Sequence, residues 1–179
     1  LGITTLETLK KALSKQTFSY RIGKKVKEKS FAPDHVSLLR NLEHQFPCIF
    51  FTFSRVGCQI KAKELLKAKL FTLNPVIVSY IHQKLSLMGS DIKRLSSTNL
   101  LREILPYGIG FHHAGLLPVM KELVEDLFEK GFLHVLYTTE TFAMGLNFPA
   151  KTVCFESLRK YDGINFRFLN SKEYFQMAG

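Results

Sequence analysis

The sequence has no tryptophan, only three cysteines, and no apolar run long enough to cross a membrane. Cys48, Cys58 and Cys154 are an odd number with neither CxxC nor Cys/His spacing. That pattern argues against a disulfide framework or a zinc site and leaves reduced thiols of an intracellular protein, cytoplasmic or nuclear. The first residues lack the apolar core of a signal peptide, so the expectation is a soluble protein with no membrane partner. No GxxxxGK[ST] phosphate loop and no Asp-Glu-x-His magnesium sequence occur. The chain alone is therefore not expected to cradle a nucleoside triphosphate with its metal. Internal repeats and low-complexity tracts are absent. Acidic residues are scarce, 15 against 25 Lys and Arg, which gives a net charge of +10. An excess of that size favours a polyanionic partner, although charge alone does not separate nucleic acid from an acidic membrane.

The 179 residues, 46% of them hydrophobic, suit one domain with its own core plus an extension. Residues 1–35 carry Leu6, Leu9 and Leu13 at helical spacing and then a basic tract of Arg21, Lys24, Lys25, Lys27 and Lys29. This reads as a solvated linker or a nucleic-acid-contacting arm. A helix is expected over 34–44 with Asp34 as its cap. CIFFTFS at 48–54 has the continuous apolar character of a central parallel strand. Residues 59–70 carry inward Ile60, Ala62, Leu65, Leu66 and Leu70, with lysines outward, for an amphipathic helix. Residues 71–107 are less legible: 76–81 suits strand or helix, and 88–97 looks like a polar loop. A short strand at 108–111, a helix opened by Pro118 and stopped by Gly131, and strands at 132–137 and 152–155 complete the alternation. That order implies an α/β fold, a three-layer doubly wound parallel sheet with helices on both faces. Asp162-Gly163, between Tyr161 and the Phe166/Phe168 alternation, signals a β-hairpin over 158–169.

The stretch that organises the chain is 132–150, FLHVLYTTETFAMGLNFPA. An apolar strand there breaks at once into Thr138, Thr139, Glu140 and Thr141. Hydroxyls and a carboxylate would thus stand at a strand's carboxyl end, where open α/β sheets bind ligands. Thr139, Glu140, Gly145 and Asn147 resemble motif V of superfamily 2 helicases. The longer wording TETFAMGLNFPAKTV, with GIGFHHAGLL at 108–117, RKYDG at 159–163, Phe166-Arg167, Glu173-Tyr174 and QMAG at 176–179, is similar to the superkiller-type DExH-box RNA helicases that feed the RNA exosome. The resemblance covers about 46–179.

It implies a RecA-like domain, the phosphate-loop NTPase fold without its own phosphate loop, and specifically the second of two such domains in an ATP-dependent helicase. Residues 1–35 would be the extension from an absent first domain, and 36–179 the second domain, ending within motif VI before its arginines. The resemblance assigns Ser54 and Arg55 (motif IV), His113, Gly115, Thr139 and Glu140 to single-stranded RNA, and Gly145, Asn147, Gln176 and Gly179 to ATP. The hairpin with Asp162, Gly163, Phe166 and Phe168 would stand at the duplex junction. ATP and Mg2+ would be bound mainly by the first domain, and the fragment alone would be inactive. Exosome or adaptor proteins are the further partners, and 3′ to 5′ movement is the family's direction.

Plainer readings stand beside these. His112 and His113, adjacent on an extended segment, point to opposite faces, which suits one core and one surface histidine better than a shared metal. Thr138 and Thr141 suit turn caps. Glu140 has no partner carboxylate at useful spacing for acid–base work. Two other functions fit the wording: a DNA-repair helicase of the related archaeal group, which shares FHHAGLL, and a non-catalytic RNA-binding scaffold with a degenerate helicase fold.

Overall fold

In the computed structural model, residues 17–22, 25–30, 34–42, 44–86, 95–140 and 149–178 are described. The leading helical pattern before residue 17, most of the 88–97 stretch, and Thr141, Gly145, Asn147 and Gly179 lie outside them. The chain divides into two compact units, Leu1–Asn41 and Leu42–Gly179.

In the first unit, strands β1 (Thr17–Ile22) and β2 (Lys25–Ser30) pair antiparallel, with Thr17 opposite Ser30 and Ile22 opposite Lys25. Arg21, Lys25, Lys27 and Lys29 of the basic tract therefore lie on two paired strands. Helix α1 (His35–Asn41) follows. Asp34 caps it as expected, its carboxylate accepting from the Ser37 N–H at 2.9 Å and the Ser37 hydroxyl at 2.8 Å.

The second unit holds a four-stranded parallel sheet in the order β4-β5-β3-β6. Its strands are β3 (Cys48–Phe51), β4 (Ile109–His112), β5 (Val135–Thr138) and β6 (Thr152–Phe155). Phe50 and Phe111 both register with Tyr137, which places three aromatic side chains on one face of the sheet. Helix α2 (Arg55–Lys67) covers that face, its Lys61 ammonium 5.8 Å from the Phe50 ring centre. Gly110 and Leu136 register on the opposite face, where a Cβ on Gly110 would meet Val124 of helix α5 (Pro118–Glu129) at 3.6 Å. Helices thus flank both faces, the doubly wound α/β arrangement expected of a RecA-like domain.

Several boundaries move for local reasons. Helix α2 starts four residues before the expected 59, because the Ser54 hydroxyl accepts from the Gly57 N–H at 3.2 Å and caps it there. The ambiguous run at 76–81 lies in helix α3 (Pro75–Ser86), where Pro75 has no N–H to leave unpaired and Asn74 accepts from the Val76 N–H. Ser96 and Ser97 were expected in a loop but open helix α4 (Ser96–Ile104), which buries Leu100, Leu101 and Ile104. Burying such side chains contributes roughly 1.5–3 kcal/mol each, more than the helix penalty of a serine. The Tyr80 hydroxyl donates to Asp126, tying α3 to α5. Gly131 ends α5 as predicted: at φ +73° its N–H bonds the Phe128 carbonyl, while the Phe132 N–H bonds that of Leu127.

The expected hairpin is present. Strands β7 (Arg159–Tyr161) and β8 (Phe166–Phe168) pair antiparallel with Tyr161 opposite Phe166. The connection holds four residues, because the Asp162 carboxylate accepts from both the Ile164 and Asn165 N–H groups and Gly163 takes φ +104°. Helix α6 (Ser171–Ala178) closes the described chain.

Candidate nucleic-acid interface

Ser54, Ala114, Thr139 and Glu156 each stand just beyond the carboxyl end of one sheet strand, so parallel pairing alone gathers them on one edge. Two depressions open there. The smaller, about 180 Å³, is lined by Phe53, Arg55, Ala114, Thr139, Glu140, Lys160 and Tyr161. The larger, about 660 Å³, shares Phe53, Lys160 and Tyr161 and adds Ser54, Glu156, Arg159 and Phe166. Residues from motif IV, the 108–117 segment and the start of motif V thus meet the hairpin along one cleft.

The loop after β4 is shaped by a buried histidine. The Gly115 N–H donates to His113 Nδ1 at 3.1 Å, so that nitrogen is an acceptor and the ring is neutral with its proton on Nε2. Nε2 lies 3.0 Å from the side-chain amide of Gln59 on α2, which must turn its oxygen toward it. Phe111 stacks on the ring at 5.6 Å. A Cβ on Gly115 would lie 3.2 Å from His113 Nδ1 and 3.5 Å from an Arg55 nitrogen, so the glycine permits the close approach of this loop to Arg55.

His112 faces the other way and pairs through Nε2 with Glu125 of α5 at 2.7 Å. The opposite-face expectation for the pair holds. The expectation of one core and one surface histidine does not, because both rings are buried. The sheet is covered by α2 on one side and α5 on the other, so neither direction leads to solvent. Burial holds both histidines below the usual pKa, with Arg55 adding to the effect on His113 and Glu125 opposing it on His112. A base with a depressed folded pKa contributes stability that is present above its unfolded pKa, about 6.5, and lost as pH falls below that. The melting temperature is therefore expected to drop between pH 7 and pH 5, and His113→Gln to flatten that limb. A profile flat over this range in the unsubstituted protein would mean that the buried rings already carry a proton.

Thr138 is structural: it is buried, and its hydroxyl donates to the His112 carbonyl at 3.0 Å, joining β5 to β4. Thr139 and Glu140 line the cleft beside it.

The hairpin's two faces differ in chemistry. Lys160 and Arg167 register with each other on the inner face. The Lys160 ammonium lies 2.5 Å from Glu140 and 2.8 Å from Glu173, and Arg167 grips Glu173 with two nitrogens at 2.7 and 2.8 Å. Glu173 also accepts from the Asn170 N–H while Asn170 caps the Glu173 N–H, a reciprocal box that starts α6. Arg167 first and Lys160 next hold the Glu173 carboxyl well below the usual carboxylate range. Burial alone would lower the Lys160 pKa, but the two carboxylates outweigh it and keep the ammonium above the usual lysine value. On the outer face, Tyr161 and Phe166 meet at 5.4 Å and the Arg159 guanidinium lies 5.2 Å from the Phe168 ring centre. Phe166 and Phe168 remain 68% and 67% exposed.

Gln176 is exposed on α6 and lines neither part of the cleft. Phe168 borders a separate hollow with Leu158, Tyr174 and Phe175. Sequence reasoning gave no role to Lys160, Arg159, Tyr161 or Gln59. The mixture of basic and aromatic residues in RKY and FRF, on either side of a turn signal, was the available signal for the first three. Nothing local pointed to Gln59.

No family model matches the chain. It is 46% identical over 152 residues to Superkiller complex protein 2 of Homo sapiens, a match covering 81% of this chain and 12% of that protein. It is 39% identical over 176 residues to an uncharacterized helicase of Schizosaccharomyces pombe, covering 97% of this chain and 17% of the relative. The Exosome RNA helicase MTR4 of Mus musculus is 40% identical over 141 residues, covering 77% and 14%. The chain thus spans less than a fifth of the length of these curated relatives.

Proposed function

The chain belongs to the superkiller-type group of superfamily 2 DExH-box RNA helicases, and from that premise we propose that it is the second RecA-like domain of an ATP-driven RNA motor acting in RNA processing or exosome-linked decay. The observation that carries this reading is the convergence of Ser54, Arg55, Ala114 and Thr139 on one sheet edge, beside a hairpin with an aromatic outer face. A motor that moves along RNA holds the sugar-phosphate backbone without reading bases. Hydroxyls, backbone N–H groups and a guanidinium serve that purpose without sequence preference.

In this reading Arg55 supplies the cation and Thr139 the hydroxyl for one phosphate. The neutral His113 acts through the loop it shapes, since both of its ring nitrogens are already engaged. The hairpin's outer face receives unstacked bases where strands part. ATP, bound between this domain and the first, supplies the energy for closing and reopening the pair, with Mg2+ and the phosphates held mainly by the first domain. On this chain Gly145, Asn147, Gln176 and Gly179 would face it. Gln176, the described member of that set, presents an exposed amide suited to a ribose or phosphate oxygen. Movement is 3′ to 5′ along the bound strand.

The test is the ATPase rate of the full-length protein with single-stranded RNA, with single-stranded DNA and with neither, at one salt concentration because phosphate contacts are salt-dependent. RNA-selective stimulation is expected. Equal or greater stimulation by DNA would favour the DNA-repair reading, and RNA binding without hydrolysis the scaffold reading. Within this assay Thr139→Ala is expected to raise the half-saturating RNA concentration about tenfold, the effect of losing one hydrogen bond to a charged group. An unchanged value would remove Thr139 from the interface.

A further inference from the structure

We propose that Lys160 is a positioning residue that couples occupancy of the cleft to helix α6. The proposal rests on the RNA-motor reading above and adds a route by which one side of the domain senses the other. Lys160 lies on the inner face of the hairpin with its side chain only 12% exposed, and it lines both parts of the cleft. Its ammonium bridges Glu140, next to Thr139 after β5, and Glu173, in the first turn of α6. An ammonium has three donors. Two carboxylates engage two, so charge arriving in the cleft acts on the ammonium chiefly by weakening its hold on them.

Exposed ion pairs usually contribute little. This one differs in two respects: the Lys160 side chain is mostly covered, though Glu140 is 46% exposed, and its other partner is fixed from several sides. Glu173 is gripped by Arg167 and takes part in the reciprocal box with Asn170, so it moves only with the start of α6. A phosphate held by Arg55 and Thr139 places negative charge beside Lys160 and competes with both glutamates for the ammonium. The ammonium's hold on Glu173 then changes, and Gln176, one turn along α6 from Glu173, changes position with that turn. Arg167 keeps α6 attached to the hairpin throughout, so the helix shifts without detaching.

The experiment compares unsubstituted full-length protein with Lys160→Met and Lys160→Arg, measuring single-stranded RNA affinity by fluorescence anisotropy and the RNA-saturated ATPase rate. Lys160→Met is expected to lower the saturated rate about tenfold while changing RNA affinity by no more than about threefold, within the range of ordinary coupling between two sites. Lys160→Arg, which can still reach two carboxylates, is expected to restore most of the rate. A loss of affinity with the saturated rate retained would make Lys160 a plain phosphate contact and overturn the proposal. So would normal behaviour of Lys160→Met in both assays. Absence of RNA stimulation in the unsubstituted protein would instead defeat the RNA-motor reading, and this inference with it.

Discussion

Replacing Phe166 and Phe168 together by alanine is expected to abolish strand separation by the full-length protein while leaving RNA-stimulated ATP hydrolysis within about twofold, because base stacking contributes about 1–3 kcal/mol per aromatic ring. The argument begins with exposure. Both rings face solvent on a short hairpin and cover little of the core, so the fold has little reason to keep two phenylalanines there. Phe166 packs beside Tyr161, and Phe168 lies under the Arg159 guanidinium. Their removal costs at most about 0.5–1.5 kcal/mol for each such exposed contact. The hairpin itself is held by other means: its loop by Asp162, and its inner face by the Lys160, Arg167, Glu140 and Glu173 ion pairs. The double variant therefore keeps its backbone and loses its stacking surface. A duplex-unwinding assay run beside the ATPase assay decides the matter. If both activities survive, the hairpin is an ordinary connection; if both fall together, its aromatic face is needed for hydrolysis and is no separate wedge.

Phe111→Ala is the largest stability effect expected from a single substitution at the sheet edge, about 3–5 kcal/mol for truncating a fully buried phenylalanine. Domains are commonly stable by only about 5–15 kcal/mol, so this is a large share of the total. Phe111 is 0% exposed, registers with Tyr137 on β5 and stacks on His113. The cavity left behind would therefore loosen the ring that holds the Gly115 loop, and RNA affinity should fall together with stability. Amide hydrogen exchange of β4 and β5 in the full-length protein reads this directly. At a tenfold per 1.4 kcal/mol, protection is expected to drop roughly a hundredfold or more. Phe111→Leu, which keeps most of the volume, should recover most of that loss. Exchange unchanged in Phe111→Ala would show that neighbouring side chains fill the space.

Most elements were legible because each follows from a local rule. The apolar runs at 48–51, 135–138 and 152–155 carry the strand signal, Pro118 and Gly131 bracket α5, and Asp162-Gly163 marks the hairpin turn. The misreadings also have local causes. Ser96 and Ser97 look like loop residues until the burial of Leu100, Leu101 and Ile104 draws them into a helix. The start of α2 depended on Ser54, whose capping bond to Gly57 brought the boundary forward. Arg21, Lys25, Lys27 and Lys29 carried a charge signal but a weak pairing signal, so two paired strands were hidden there.

By itself, the sequence determined the α/β class, the four strands of the central sheet, and the motif wording that joins this chain to the superkiller-type helicases. These are properties of consecutive residues, set by periodicity, capping and turn chemistry. Only the tertiary structure decided which motifs meet. The order β4-β5-β3-β6 places the ends of strands far apart in the chain side by side, and so creates a cleft that no segment contains alone. It also made His113 the buried support of a loop, through an amide on a helix 54 positions earlier. Lys160 acquired its two carboxylates in the same way, from residues 20 positions before it and from the next helix. Which charges pair depends on distances in the folded chain, and those arise from packing rather than from neighbouring letters.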